Sequence, residues 1–307
     1  MSSPPHAARR DRQPSIREAM VAAMRHLEQA SVPSPRVDAE LLAAHVLGCS
    51  RAALVGMDRF DPVQEERYFS LVRRRAQRVP LQHLTGTAGF HRLELAVGPG
   101  AFVPRPETEL LVEWGLAALS GVAGPLVVDL CAGTGAIALA LARQRPDAVV
   151  YAVERAPEAL FWLHRNARRC HAAGDRPVAV VAGDAVASNV LSGLNGRVDL
   201  VLANPPYVPL GTVLPPEVAI HDPGQALTAG PDGLAVIRPL LTRAGALLRP
   251  DGWFGVEHDD SHGEVVPRLL AAQNTWTVIA DHPDLAGRPR FATARRRWSA
   301  ACETCPS

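Results

Sequence analysis

Net charge, cysteine and long apolar runs are all scarce in this chain, and each shortage narrows what it can be. Its 32 basic and 31 acidic side chains leave a formal charge of +1. There is thus no global basic field of the kind that draws a protein onto nucleic acid. The five cysteines, Cys49, Cys131, Cys170, Cys302 and Cys305, are an odd and scattered set, which argues against a disulfide framework. Cys302-Glu303-Thr304-Cys305 is a lone C-x-x-C without a second pair, and it reads as two thiols on a tail rather than a zinc or redox centre. No apolar run reaches membrane-spanning length. Met1 to Pro14 is polar and rich in proline and arginine. It lacks the apolar stretch of a secretory signal, so the expectation is a cytoplasmic protein with a frayed tail over 1–14. His258 and His262 flank Asp259 and Asp260, but so closely spaced a polar set reads as a loop after a strand, and no metal is expected.

What the chain does have is apolar side chain, 47% of 307 residues, enough for a large core and a second small domain. From Ser15 the pattern is helical. Ser15 and Glu18 make a capping box, and Ile16, Met20, Ala23, Met24 and Leu27 fall on one face. Ser34 as a cap and Pro35 at the first helical position open a second helix, which Gly48 stops. Asp61-Pro62, with Gln64 after the cap, opens a third that runs through Tyr68 and Leu71 to Arg78. Short helices over 15–85 predict a small bundle, read as a substrate-recognition domain. Its one charge run, Arg73-Arg74-Arg75-Ala76-Gln77-Arg78, reads as a solvated helix end. Contact with a nucleic-acid-rich partner such as a ribosome is the sharper alternative. Phe90, Leu93, Leu95 and Val97 lie among polar residues and glycines, which predicts a hairpin within a linker over 86–105. A second domain follows over 106–298, then a C-terminal tail over 299–307.

The second domain opens on a buried strand, Leu126-Val127-Val128-Asp129-Leu130. Cys131-Ala132-Gly133-Thr134-Gly135 then turns into a helix, where glycines admit a ligand to the backbone and the helix start offers free N–H groups. A second strand, Val149 to Val153, ends at Glu154, 19 positions beyond Gly135. An acid at that distance can accept hydrogen bonds from both ribose hydroxyls. Strand, glycine turn, helix, strand and acid make a nucleoside-binding unit, although Gly133-x-Gly135-x-x-Ala138 fits the dinucleotide fingerprint as well. A helix around Ala159 to Arg169 leads to a strand over Val178 to Ala182. Asp184 follows it, within reach of an adenine amino group. Later elements are a helix over Leu234 to Leu248, a strand from Trp253 to Glu257, a helix near Val265 to Ala272, and strands Trp276 to Ala280 and Phe291 to Ala294. This alternation predicts a parallel, doubly wound α/β sheet.

Between these lies Asn204-Pro205-Pro206-Tyr207, closing the apolar strand Val198 to Ala203. Ligands in such sheets bind beyond the carboxyl ends of strands. The prolines make a rigid turn without N–H groups, which leaves the Pro205 carbonyl free to accept. Asn204 adds a side-chain carbonyl as a second acceptor. Two close acceptors suit one planar NH2 group, a carboxamide or an exocyclic base amine, and Tyr207 supplies an aromatic face beside them. Before these come Arg105 and Glu107, on a turn held by Pro104 and Pro106, where surface charge at a helix start is the plain reading.

From Ser15 to Arg297 the chain resembles the HemK/PrmC family of peptide chain release factor N5-glutamine methyltransferases. The resemblance is carried by Arg78 to Gly86, Val103 to Glu109, Val201 to Pro209, His221-Asp222-Pro223 and Asp284 to Arg288. It implies a class I methyltransferase sheet, with S-adenosyl-L-methionine over the glycine turn and contacts from Asp129, Cys131 to Gly135, Glu154, Asp184, Ala185 and Asn204. It also implies a substrate, the glutamine of the Gly-Gly-Gln loop of release factors, in a pocket lined by Phe102, Arg105, Glu107 and Asn204 to Tyr207. Two positions depart from the family: Cys131 replaces a usual glycine, and Ala185 stands where a larger side-chain platform is common. Asn204 and the Pro205 carbonyl would aim the amide nitrogen at the sulfonium methyl, with no strong base required. Three rivals stay open: an adenine-N6 nucleic-acid methyltransferase, a glutamine methyltransferase acting on a ribosomal protein, and a non-catalytic S-adenosylmethionine-binding module. An NAD dehydrogenase is less well served, since nothing supplies a hydride-handling residue.

Overall fold

A computed structural model describes residues 14–298; most of the tail expected over 1–14, and the Cys302/Cys305 pair, lie outside the described residues. The chain divides into two compact units, Met1–Gly86 and Thr87–Ser307. No helix among the described residues is long and apolar enough to cross a membrane.

The first unit is helical: α1 (Ile16–Gln29), α2 (Pro35–Leu47), α3 (Pro62–Ala76) and the short α4 (Leu81–Thr85). Capping boxes at Ser15/Glu18 and Asp61/Gln64 start α1 and α3, each satisfying otherwise orphaned N–H groups. Ser34 occupies the cap position of α2, but its side chain makes no capping bond, so Pro35 carries that start. Leu27, Leu42, Tyr68 and Val72 build the core of the unit. The arginine run departs from expectation. Arg75 is 6% exposed and bonds Asp38 at 2.6 Å and the Val79 carbonyl at 3.3 Å; of the four arginines, Arg73 and Arg74 are exposed. Helical phase explains it: Arg75 lies one turn beyond Leu71 and Val72, on the stripe that faces the core.

The second unit begins with an antiparallel hairpin, β1 (Thr87–Phe90) and β2 (Leu93–Ala96). Its Phe90, Leu93 and Leu95 join the main core. Then follow α5 (Thr108–Ala118), β3 (Leu126–Leu130), α6 (Ala136–Gln144), β4 (Val149–Glu154), α7 (Pro157–Ala172), β5 (Ala179–Ala182) and β6 (Val198–Ala203). The chain continues through α8 (Pro216–His221), α9 (Ile237–Leu247), β7 (Leu248–Glu257), α10 (Val265–Ala271), β8 (Trp276–Pro283) and β9 (Pro289–Arg296). The sheet has seven strands in the order β5-β4-β3-β6-β7-β9-β8. Consecutive residues face opposite cores: Val127 and Leu200 pack with α5, α6 and α7, whereas Val128 and Val201 pack with α9 and α10. Burial on both faces is why these strands read as unbroken apolar runs.

The expected parallel sheet holds for β5, β4, β3, β6 and β7. The last two strands correct it, because β9 runs antiparallel to both β7 and β8. A short loop joins β8 to β9, and only an antiparallel hairpin can be closed that tightly. Strand order reverses at β3, with β4 on one side and β6 on the other, which opens a crevice at their carboxyl ends.

Candidate active site

Four strand ends, those of β3, β4, β5 and β6, meet at that crevice. Beyond β3, Cys131, Gly133 and Gly135 all take positive φ, 65°, 56° and 89°. This left-handed backbone costs a residue with a β-carbon about 1–2 kcal/mol, so Cys131 sits where a glycine would be unstrained. At Gly135 space adds to the demand, since a β-carbon there would lie 2.5 Å from Leu163 Cδ1. Asp129 does not line the crevice. It is fully buried beneath the turn, and its Oδ2 accepts the Ala138 N–H at 3.0 Å, pinning the start of α6. Oδ1 has no partner among the described residues, and burial raises this carboxyl well above the usual range.

At the end of β4, Glu154 Oε2 accepts the Gly133 N–H at 2.8 Å, and Oε1 accepts the N–H groups of Arg155 and Ala156, each at 2.8 Å. Beyond β5, Asp184 Oδ1 accepts from Val186 at 3.2 Å, and Oδ2 lies 3.6 Å from the Arg155 guanidinium. Glu154, Asp184, Ala185, Cys131 and Gly133 line one cavity together with Asn204 to Tyr207 and Phe102. A smaller recess, lined by Ala132, Thr134 and Thr108, shares Phe102, Cys131, Gly133 and Asn204 with it. Asn204 therefore stands where the two spaces meet. Gly135, Arg105 and Glu107 line neither.

Asn204 is not held alone. Its Nδ2 donates to Thr108 Oγ1 at 3.1 Å, and the Thr108 hydroxyl donates to Glu257 Oε2 at 2.7 Å. The Tyr207 hydroxyl donates to the other oxygen, Oε1, at 2.8 Å. Glu257 is 1% exposed. Burial raises its carboxyl above the usual value, while its two hydroxyl donors and the charge of Arg290 oppose the rise. Burial, with Glu257 beside it, also raises the Tyr207 hydroxyl, which stays protonated and donates. Arg105 is turned to Asp222, bonding Oδ2 at 2.7 Å, with its guanidinium 5.0 Å from the Phe102 ring centre. Sequence reasoning missed Thr108, Glu257 and this role of Asp222. The available signal was an acid closing an apolar strand, the same position that had marked Glu154.

His258 and His262, whose rings are 6.5 Å apart, bond the carbonyls of Asp259 and Asp232. His258 precedes a short 3-10 turn, Asp260–His262, and His262 is its last residue, where a plain loop was expected.

A doubly wound sheet with a glycine turn, an acid after the next strand and an Asn-Pro-Pro-Tyr strand end is a class I S-adenosylmethionine-dependent methyltransferase. The comparisons specify which. Residues 18–86 match the PrmC N-terminal domain and residues 107–214 the methyltransferase small domain. The release factor glutamine methyltransferase of Mycolicibacterium smegmatis is 50% identical over 281 residues, spanning 92% of this chain and 98% of that protein. Its namesake from Streptomyces coelicolor is 49% identical, over 89% of this chain and 95% of that protein. The one from Mycobacterium tuberculosis is 45% identical, over 92% of each. The chain belongs to the release factor glutamine methyltransferase family, and the resemblance drawn from its motifs holds.

Proposed function

We propose that this enzyme methylates the side-chain amide nitrogen of the glutamine in the Gly-Gly-Gln loop of peptide chain release factors, using S-adenosyl-L-methionine. The observation that carries the reading is a pair of adjacent, uncommitted acceptors. Asn204 gives its NH2 to Thr108, and among the described residues neither its Oδ1 nor the Pro205 carbonyl accepts a hydrogen bond. Two acceptors and no donor match an amide NH2, which brings two N–H bonds and no acceptor on nitrogen.

The cavity suits the cofactor by its chemistry. Apolar Val153, Ala185 and Val186 provide a bed for a flat base, with the Glu154 carboxylate beside them for a ribose diol and Asp184 for an exocyclic amine. Bound there, S-adenosylmethionine supplies an electrophilic methyl group. The chain orients the nucleophile. Asn204 and Pro205 hold both amide hydrogens, and their carbonyl dipoles face the positive charge that develops on nitrogen. The Tyr207 ring packs beside the amide and favours that charge. Once methylated, the nitrogen is acidic enough to lose its proton to water, so no dedicated base is required. Phe102, at the junction of both spaces, is proposed to pack against the glutamine chain, whereas Arg105 and Glu107 would act from outside the cavity.

All residues of this cavity belong to the second unit. Recognition of the release factor is accordingly assigned to the helical unit, with the cytoplasm as the setting. The near-neutral charge supports a protein rather than a nucleic-acid substrate. The test is mass spectrometry of release factors after incubation with the enzyme and methyl-labelled cofactor. Label on the glutamine of the Gly-Gly-Gln loop is the expected result; label on a ribosomal protein or on adenine instead would overturn the assignment.

A further inference from the structure

Glu257 lines neither space of the active site, yet it is bonded to residues that do. We infer that Glu257 is a positioning residue for methyl transfer: through Thr108 it sets which atom of the Asn204 amide faces the substrate, and through Tyr207 it anchors the aromatic ring beside that atom. The inference rests on the function proposed above for Asn204 and extends it to residues with no assigned role.

Hydrogen-bond direction fixes the orientation of Asn204. Both oxygens of Glu257 accept hydroxyl hydrogens, one from Thr108 and one from Tyr207, and a threonine hydroxyl has a single hydrogen. Thr108 spends that hydrogen on Glu257 Oε2 at 2.7 Å, so towards Asn204, 3.1 Å away, it offers lone pairs alone. Asn204 must then turn its NH2 to Thr108, which leaves Oδ1 for the substrate. Reversal of this chain would present an NH2 to the incoming NH2, donor against donor, and a buried polar group without its partner is costly. The second oxygen of Glu257 takes the Tyr207 hydroxyl at 2.8 Å, so one buried carboxylate orients both walls of the substrate site. Its own place is rigid. Glu257 ends β7 in register with Phe291 of β9, and Thr108 is the first residue of α5.

A glutamine at 257 offers an NH2 as well as an oxygen, and can donate to Thr108. The hydroxyl is then released to donate to Asn204, and the amide is free to turn. Thr108→Val keeps the carboxylate but takes away both its hydroxyl donor at Oε2 and the acceptor for Asn204, while Thr108→Ser keeps the hydroxyl. A residue that merely ties α5 to β7 would not separate these variants by turnover.

The test uses the full chain and its Glu257→Gln, Thr108→Val and Thr108→Ser variants, with a release factor and S-adenosylmethionine as probes. Glu257→Gln and Thr108→Val should lose kcat by on the order of a hundredfold, with KM for the release factor and cofactor affinity near the wild-type values. Thr108→Ser should retain kcat. Alongside, the side-chain NH2 resonance of Asn204, identified by its loss in Asn204→Asp, should move in Thr108→Val and stay in Thr108→Ser. If Glu257→Gln does not fold, the two Thr108 variants decide alone. Wild-type kcat in Thr108→Val, or an equal loss in Thr108→Ser, overturns the inference. If the wild-type chain methylates no release factor, the proposed function falls. The Asn204 resonance then still decides: movement in Thr108→Val only supports the relay, and any other pattern overturns it.

Discussion

Glu154 lies with its Oε2 2.8 Å from the amide nitrogen of Gly133, so the acid that closes β4 also holds the glycine turn that follows β3. One side chain thereby shapes the floor of the cavity and offers it a negative charge. Glu154→Ala should weaken S-adenosylmethionine binding by about 1.5–3 kcal/mol, the range of a charge-assisted hydrogen bond. Glu154→Gln keeps an acceptor for Gly133 and should lose less. Calorimetry separates them; unchanged affinity in Glu154→Ala would reduce this carboxylate to a strand-end charge.

Arg75 and Asp38 form a buried pair at 2.6 Å in the helical unit, with side chains 7% and 8% exposed. Removing one partner leaves the other charge buried and alone, at a cost of about 3–5 kcal/mol. Arg75→Ala should therefore lower the denaturation midpoint of the helical unit strongly. Arg73→Ala, from the exposed side of the same run, should change stability by no more than about 0.5 kcal/mol. Similar midpoints for the two variants would show that Arg75 is dispensable.

The parts of this molecule that were legible in its sequence are those whose causes are local. The strands over Leu126–Leu130 and Val198–Ala203 are buried on both faces and so read as apolar runs, and the turn between strand and helix needs its glycines in place. Asn204 was legible because it ends such a strand. The direction of β8 and β9 was not, since alternating helices and strands do not reveal a terminal hairpin. The Thr108–Glu257 bond joins residues 149 positions apart, beyond any periodicity. Arg75 was misread because four arginines among six residues look solvated until the phase of α3 is laid over Tyr68 and Leu71.

His258 and Asp281 offer a pH test. His258 Nδ1 donates to the Asp259 carbonyl at 2.9 Å, so Nε2 of the neutral ring presents a lone pair to Asp281 Oδ2, 3.4 Å away. Burial pushes the Asp281 carboxyl from 3.8 up to about 6 and the His258 ring from 6.5 down to about 4. The folded state thus binds the Asp281 proton more tightly than the unfolded chain does. That contribution is present below about 4 and is lost as pH rises through about 6. His258 acts with the opposite sign, favouring folding above its ordinary value and losing that contribution as pH falls towards 4. In the wild type the two trends offset each other. Asp281→Asn lets an N–H donate to His258 wherever the ring is neutral, and should stabilise the protein by about 1 kcal/mol at pH 7. The gain should vanish towards pH 4, where the protonated wild-type carboxyl donates as well. Urea unfolding of both proteins across this range checks it, and a gain that does not depend on pH would refute this account of the pair.

Asn204→Ala removes one of the two acceptors proposed to orient the substrate amide, while β6, both prolines and the glycine turn stay in place. It also leaves the Thr108 hydroxyl without the NH2 it accepts, but that hydroxyl remains bonded to Glu257, so the local fold should hold. With the Pro205 carbonyl alone, the amide is free to rotate about a single hydrogen bond, and its lone pair is no longer aimed along the line to the methyl group. The loss should therefore fall on turnover, on the order of a hundredfold or more, as for removal of one preorganised polar group from an active site. Cofactor affinity should change far less, because Glu154 and the turn that it holds are untouched. Asn204→Asp keeps an acceptor oxygen but cannot donate to Thr108, and it brings a second carboxylate close to Glu257. It should be impaired at neutral pH, with partial recovery on acidification, when the introduced carboxyl takes up a proton, donates it to Thr108 and keeps a carbonyl for the substrate. Single-turnover methylation of a release factor at saturating cofactor measures both variants. Near-normal turnover in Asn204→Ala would make Asn-Pro-Pro-Tyr a structural turn, and catalysis would have to rest on other residues of the cavity.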